Sequence, residues 1–592
     1  MTDKVITIEG IIQSNREQIV DGLMGAYERW KPQRQVKEAE WQEVRDYIFA
    51  TDTTTTSNSS LPWRNKTTIP KLAQIRDNLH ANYMDALFPN DNWLDWDGDS
   101  EQDVEKQKRK IIVQYVKNKA MQAGLRETIS QALYDYIDYG NCFAEVIYVD
   151  EHYTDPATGE EVSVYKGAKA LRISPYDITF NPTASHFNKT PKFTRYLKTI
   201  AEIKKELLTR PDLKYDEEVF QKAVNMRRSI SSYGKEDLQK VTSYLADGFG
   251  SWSEYLSTGL VELIEFEGDW YDEAADELHE NVIVTVMDRT WVLRNIPNPS
   301  WLGRDNKVHV GWRERPDNLY AMGPLDNLVG MQYRLDHLEN LKADALDQTI
   351  NPPIAIIGDV EPFEWAPGAT LHLPEDGDVK LLSPNPAVFQ VNNELGYFLQ
   401  LMEEMAGAPK EAMGMRTPGE KTMFEVQQLQ NAASRIFNNK INKFSIQFLE
   451  PILNLFLEVS KRNIDVADTI KVLDDDLGVT DFIKITKDDI TAKGKLRPVG
   501  ARHYAAKAQL MQNLATIFNS PMGQIIGPDL SRKKLTELIQ EVLGLEKYGL
   551  FQPNVAVAEQ AETQGLVNEH ANRINAEQTV PMEEQMMQQP SQ

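Results

Sequence analysis

Residues 324–350 read PLDNLVGMQYRLDHLENLKADALDQTI, and Asn351-Pro352-Pro353 follows. The run reads as one uninterrupted helix, stopped where proline can no longer donate a backbone hydrogen bond. At about 1.5 Å per residue it spans about 40 Å. A Pro/Gly-rich insert of β character follows over 354–389, and helix returns at Val391–Ala406. Residues 407–421 (GAPKEAMGMRTPGEK) form a loop. Thr422–Ser460 is then a long helix, about 55 Å if straight, which Pro451 is expected to kink. A helix that leaves, passes through a small insert and returns makes the chain an α+β fold, mostly helical.

Outward from that unit, the N-terminal hundred residues read as helices. Gln13–Trp30 and Val36–Phe49 are separated by Pro32, and residues 51–60 (TDTTTTSNSS) are a polar loop. Pro70 opens a helix with Leu72, Ile75, Leu79 and Tyr83 at helical spacing. Glu101–Gln122 and the stretch carrying Leu125, Ile129, Leu133 and Ile137 stop at Gly124 and Gly140. The period then becomes two. Cys142–Val149 and Ala170–Phe180 read as strands joined through the turn residues 154–159, a hairpin. Thr199-Ile200-Ala201-Glu202 is a capping box before a short helix ending at Pro211, and a polar helix runs to about Ser232. Val261–Glu267 and Val282–Leu293 are strands, and 295–316 is loop. Short strands are expected within 470–497, helices over 500–519 and 529–543, and a Gln/Glu/Met-rich flexible tail beyond 553.

The chain has 592 residues, 41% hydrophobic and 26% charged, an ordinary globular balance. Its net charge of −25 makes wrapping DNA through phosphate contacts a poor reading, though not DNA sliding past it. A single cysteine, Cys142, excludes an internal disulfide framework and a multi-cysteine zinc site, and fits a reducing compartment. The start lacks the shape of a signal peptide. The most apolar stretch, Phe448–Val459, is broken by Glu450, Pro451, Asn454 and Glu458 and falls short of a span, so no membrane is expected.

Motifs of chemistry fail on their own terms. Gly414–Thr422 is near a phosphate-binding loop, but Glu420 displaces the lysine and a helix, not a strand, precedes it. Asp95–Asp99 lacks the glycine and distal glutamate of a calcium loop and reads as an acidic surface loop. Asp474-Asp475-Asp476 reads as a solvated turn. The histidines are scattered, His337 falling at a surface or interface position, and Ser531 reads as a helix cap. The expectation is no enzyme and no cofactor. The regional signal is charge. Over 324–406 three basic residues face fourteen acidic ones, a net of −11, with Asp336, Glu339, Asp344, Asp347, Glu403 and Glu404 on the two helices. The following loop carries Lys410, Arg416 and Lys421.

Several phrases in shared order resemble the portal (head-to-tail connector) proteins of tailed bacteriophages, in particular the short-tailed type. They are Tyr139-Gly140-Asn141-Cys142, Ile173-Ser174-Pro175-Tyr176-Asp177-Ile178 and Tyr320-Ala321-Met322-Gly323-Pro324-Leu325, where Ala321 replaces the family's first glycine. Lys421–Val426, Phe448–Leu453 and Ile490–Tyr504 complete the set, and the resemblance spreads over residues 15–545. It implies a portal fold: wing over 1–323 and 422–499, stem helices over 324–350 and 390–406, clip over 351–389, tunnel loop over 407–421, crown over 500–552 and flexible tail over 553–592. It implies a ring, typically a dodecamer, at one capsid vertex. The implied partners are the major capsid protein, the scaffolding protein, the large terminase subunit, a tail adaptor protein and double-stranded DNA in transit. The implied place is the virion, and the host cytoplasm during assembly. Lys410, Arg416 and Lys421 become DNA-channel candidates, and the six carboxylates above candidates for a stem wall that repels phosphate. Two other classes stay open: a poreless acidic scaffold or adaptor, and a degenerate nucleotide-dependent motor subunit.

Overall fold

The computed structural model describes residues 8–89, 93–97, 103–154, 159, 161–210, 213–233, 259–272, 276–300, 305–358, 378–382, 390–406, 437–464, 468–474, 479–485 and 495–498. Helix and strand are both abundant, helix the larger share, an α+β chain. The first element, α1 (Ile8–Ile48), carries Pro32 inside it, where two separate helices were expected. Val20, Leu23, Met24 and Tyr27 before the proline and Trp41 after it are all buried. Anchoring on both sides outweighs the roughly 3 kcal/mol that an interior proline costs.

Helix α2 (Lys71–Leu87) buries Leu72, Ile75, Leu79 and Tyr83, the expected stripe. Strand β1 (Leu94–Asp97) corrects the reading of an acidic loop. Leu94 and Trp96 turn inward, Asp95 and Asp97 outward, and the strand pairs with Lys495–Pro498. Helices α3 (Asp103–Gln122) and α4 (Leu125–Asp138) flank Gly124, whose φ of +68° suits glycine.

Strands β2 (Asn141–Thr154) and β3 (Glu161–Ile173) form the expected hairpin, with Phe143 opposite Ile173. The expected second strand breaks at Ser174, where the Asp177 amide donates to the Ser174 carbonyl. Residues beyond it, β4 (Ile178–Phe180), join another sheet. There β5 (Lys192–Thr199) leads through the Thr199 capping box into α5 (Ile200–Thr209) and α6 (Glu217–Tyr233). Strands β6 (Leu260–Asp272), β7 (Glu277–Met287) and β8 (Trp291–Pro297) complete an antiparallel sheet in the order β4-β5-β6-β7-β8. Val282–Leu293, expected as one strand, is split at Asp288 and Arg289, both with φ near +50°. No glycine marks this tight turn. Buried pairs hold it instead, Asp288 with Arg227 and Arg289 with Glu262.

Strand β9 (Lys307–Gly311) falls in the stretch expected to be loop. It returns to pair with β2, giving a second sheet in the order β3-β2-β9. The Pro/Gly punctuation around it hid the alternating Val308 and Val310, both buried. Where the two sheets meet, Lys307 Nζ donates to Glu265 Oε1 and Glu267 Oε2, each at 2.8 Å. Lys192 pairs with Asp305, and Tyr196 donates to Glu145 at 3.0 Å. Burial alone would raise Glu265, but Lys307 and Arg294 outweigh it and hold its carboxyl at about 2.

Strands β10 (Arg313–Arg315) and β11 (Asn318–Met322) and a 3₁₀ turn, Asp326–Leu328, lead into α7 (Val329–Ile350), which starts five residues later than expected. A two-stranded hairpin, β12 (Ile354–Ile357) with β13 (Asp378–Leu381), lies within the expected insert, and α8 (Val391–Ala406) returns as read. Residues 437–444 are helical and pass through a π turn, Ser445–Leu449, into α9 (Glu450–Asn463). The proline's missing donor is absorbed there: the Glu450 amide reaches back five residues to Ser445.

By contact the chain divides into residues 1–470 with 484–499, and 471–483 with 500–592. The described residues of the second unit belong to two strands, Asp468–Asp474 and Val479–Ile485, which pair with each other.

Candidate functional site

The helix–hairpin–helix limb α7–β12–β13–α8 is the part of the chain where sequence and structure concentrate unusual features. Its base is tightly built. Gly140 has φ +68°, and a Cβ there would lie 2.3 Å from the Gly323 nitrogen, so only glycine fits. Asn141, fully buried, donates from Nδ2 to the carbonyls of Tyr139 and Ala321, both at 2.9 Å. Its Oδ1 accepts from the Ala321 amide and from His309 Nε2. Burial pushes His309 down to about 3, so the ring is neutral and carries its proton on Nε2. Trp41 packs against Tyr139, Tyr176 and Tyr320 with ring centroids 5.5 to 6.0 Å apart. Three phrases far apart in sequence, around 139–142, 173–178 and 320–325, therefore meet at the foot of the limb.

The limb is tied to the body by the strap between α1 and α2. Asp336 accepts from the Ile69 amide at 3.0 Å and from Thr68 Oγ1 at 2.9 Å. Asn340 accepts from the Thr67 amide at 2.8 Å and donates to its carbonyl at 2.7 Å. Asp344 accepts from the amides of Asn65 and Arg64, and Asp347 from Asn65 Nδ2. Burial pushes the Asp336 carboxyl up, against the pull of its donors. For Asp344 burial is outweighed by the Asn65 and Arg64 donors, which hold its carboxyl below the usual range. At the other helix Glu403 makes a buried pair with Lys71. His337 packs against Trp63 with the rings tilted at 50° and centroids 5.1 Å apart, half-buried rather than facing solvent freely.

Of the six carboxylates read as a wall, four thus face the chain itself: Asp336, Asp344, Asp347 and Glu403. Glu339 pairs with Lys342 at 2.7 Å. Glu404 stays exposed on α8, hydrogen-bonded to Gln400. Counting charge along the chain does not register which side of a helix a carboxylate occupies. Gln332, Asn340, Asn65, Lys71 and Trp63 escaped the sequence reading altogether. The polar row at four-residue intervals along α7 was the signal available for Gln332 and Asn340, and Asn65, Lys71 and Trp63 had none. Lys410, Arg416 and Lys421, the crown and the tail lie outside the described residues, as does the near-phosphate loop.

The limb also leaves large apolar side chains exposed among its polar ones. Ile350 is 73% exposed, Tyr397 64%, Leu382 56% and Ile356 53%. Ile356 and Ile357 are both half-exposed neighbours on one strand, so they present apolar side chains on opposite faces of the hairpin. A two-stranded sheet by itself is marginal in water and needs a third strand or a packed face.

Among the described residues no group of three or more His, Cys, Asp or Glu is placed to hold a metal, and no helix is long and apolar enough to cross a membrane. No protein-family model matches the chain, and a search of curated proteins finds no match.

Proposed function

We propose that the chain is the portal subunit of a tailed bacteriophage, assembling into a ring through which DNA is packaged and ejected. The observation that carries the reading is the limb: two helices ending in a hairpin with exposed apolar side chains on both faces. Such a surface is a liability on a monomer and an interface in an assembly. In a ring each limb covers its neighbour's, and the helices line the opening. The meeting of the three family-like phrases at the limb's foot adds to it.

In this reading Lys410, Arg416 and Lys421 touch passing phosphates from the tunnel loop. The repelling wall then rests on the open carboxylates, Glu404 and the exposed Glu394, more than on the acids of α7. Capsid, scaffolding, terminase and tail-adaptor partners belong to the same proposal, with a place in the virion and no catalytic step. Negative-stain microscopy of purified protein tests it: rings with a central hole are expected. Monomers or solid particles at all concentrations favour the poreless adaptor, and ATP turnover abolished by Lys421→Ala favours the motor subunit.

A further inference from the structure

Gln332, Asp336, Asn340 and Asp344 stand four residues apart on α7; the first two share Ile69 of the strap, and from Asp336 onward they meet alternate residues, Ile69, Thr67 and Asn65. Gln332 Nε2 donates to the Ile69 carbonyl at 2.6 Å while Asp336 takes the Ile69 amide. Asn340 closes both hydrogen bonds of Thr67, and Asp344 takes the amide of Asn65. As α7 advances by four residues the strap retreats by two. Four helical residues rise about 6 Å, and two extended residues about 6.6 Å. The two repeats agree closely enough to keep three successive rungs in step. Asn340 does for Thr67 what a residue of a neighbouring strand would do, donating and accepting at one main-chain position.

The row is dry over its first three members, and Asp344 at its end is half-exposed. Gln332 is 1% exposed and Asp336 and Asn340 are fully buried. The strap brings little apolar surface of its own: Thr54, Thr55, Ser57, Ser59, Ser60, Arg64 and Thr67 are exposed, and Trp63 is its large buried anchor. Segments held by hydrogen bonds with few apolar contacts open at lower free energy than a core.

We infer that this row is a main-chain latch, a substitute strand edge built from helix side chains, which fixes the limb to the body and opens without unfolding either. At Thr67 the latch reads backbone alone, so the side chain there is free to vary while that at Asn340 is not, whereas Thr68 and Asn65 add side-chain bonds to Asp336 and Asp344. The inference does not rest on the portal proposal, and a chain that forms no ring shows the same latch.

Residue-resolved hydrogen exchange on the full-length protein tests it. The amides of Asn65, Thr67 and Ile69 are expected to exchange at least tenfold slower than those of Lys66 and Thr68, an alternation of period two. Thr67→Val keeps the pattern. Asn340→Leu speeds exchange at Thr67 at least tenfold and leaves the β2 amides unchanged. Cys142 is buried, so spin labels at Gln348→Cys on α7 and Lys222→Cys on α6 report the limb alone. Their distance distribution is expected to broaden in the Asn340→Leu background. Absence of the alternation in the wild type overturns the latch, as does Thr67→Val proving as damaging as Asn340→Leu. An unchanged label distance places the limb's hold elsewhere and overturns it too. Should Asn340→Leu fail to fold, the wild-type alternation and Thr67→Val still decide.

Discussion

The junction of the two sheets and the limb solve opposite problems. At the junction, Lys307 is buried between Glu265 and Glu267, and every charge has an internal partner. On the limb three acids of α7 grip a strap, and apolar side chains are left outside beside open carboxylates. The first region is complete as a single chain. The second, in the proposed ring, is finished by the neighbour that covers it. Charge placement marks what is closed, and apolar placement marks what is still open.

The sharpest way to break that contrast is Lys307→Met. It leaves buried Glu267 with no ion-pair partner among the described residues and Glu265 with Arg294 alone, and a loss of about 3–5 kcal/mol in denaturant unfolding is expected. A loss under 1 kcal/mol would mean the junction is not closed by this network. Acid probes the same place. Glu265 has its pKa depressed, so its contribution is present above the ordinary glutamate range and declines as pH falls from there through about 2. Next comes Gly140→Ala. A Cβ would meet the backbone of Met322 and Gly323 in a left-handed conformation, and about 2–5 kcal/mol of destabilisation is expected. Thermal unfolding close to wild type would show the limb's foot to be pliable.

Thr199→Ala removes one half of the capping box on α5, where Glu202 N donates to Thr199 Oγ1 at 3.2 Å. About 1 kcal/mol is expected, read from the denaturant midpoint. The smallest effect on folding belongs to the limb. Ile356→Ser with Leu381→Ser should change monomer stability by no more than about 0.5 kcal/mol, yet abolish self-association by light scattering. If this pair destabilises the monomer as the junction variants do, the limb is already packed and the contrast fails.

Much of this was legible from periodicity. The α8 boundaries, the capping box, the β2–β3 hairpin and the breaks at Gly124 and Gly140 are local events written in local residues. What escaped is held from a distance. Strand β9 is a strand because β2 receives it, and the Asp288–Arg289 turn is tight because Arg227 and Glu262 clamp it. Pro32 fails to break α1 because residues on both sides are packed elsewhere. At the limb, sequence picked out the acidic residues of α7 but not their direction. A side chain that binds the main chain of a distant segment leaves no hydrophobic period behind it.

The return of β9 to β2 also sets an order of events. Cys142 and Val310 lie 168 residues apart, and the whole five-stranded sheet is made between them. During synthesis at about 5–20 residues per second, β2 waits on the order of ten to thirty seconds for its second neighbour. Through that interval one edge of a long, largely buried strand stands open to any other nascent chain. Intermediate sheet β4–β8 has time to form and to bring Lys307 home. Of the two sheets the three-stranded one is therefore the second to close, and the limb, which begins soon after β9, emerges once both exist, while β1 still waits for its partner at Lys495–Pro498.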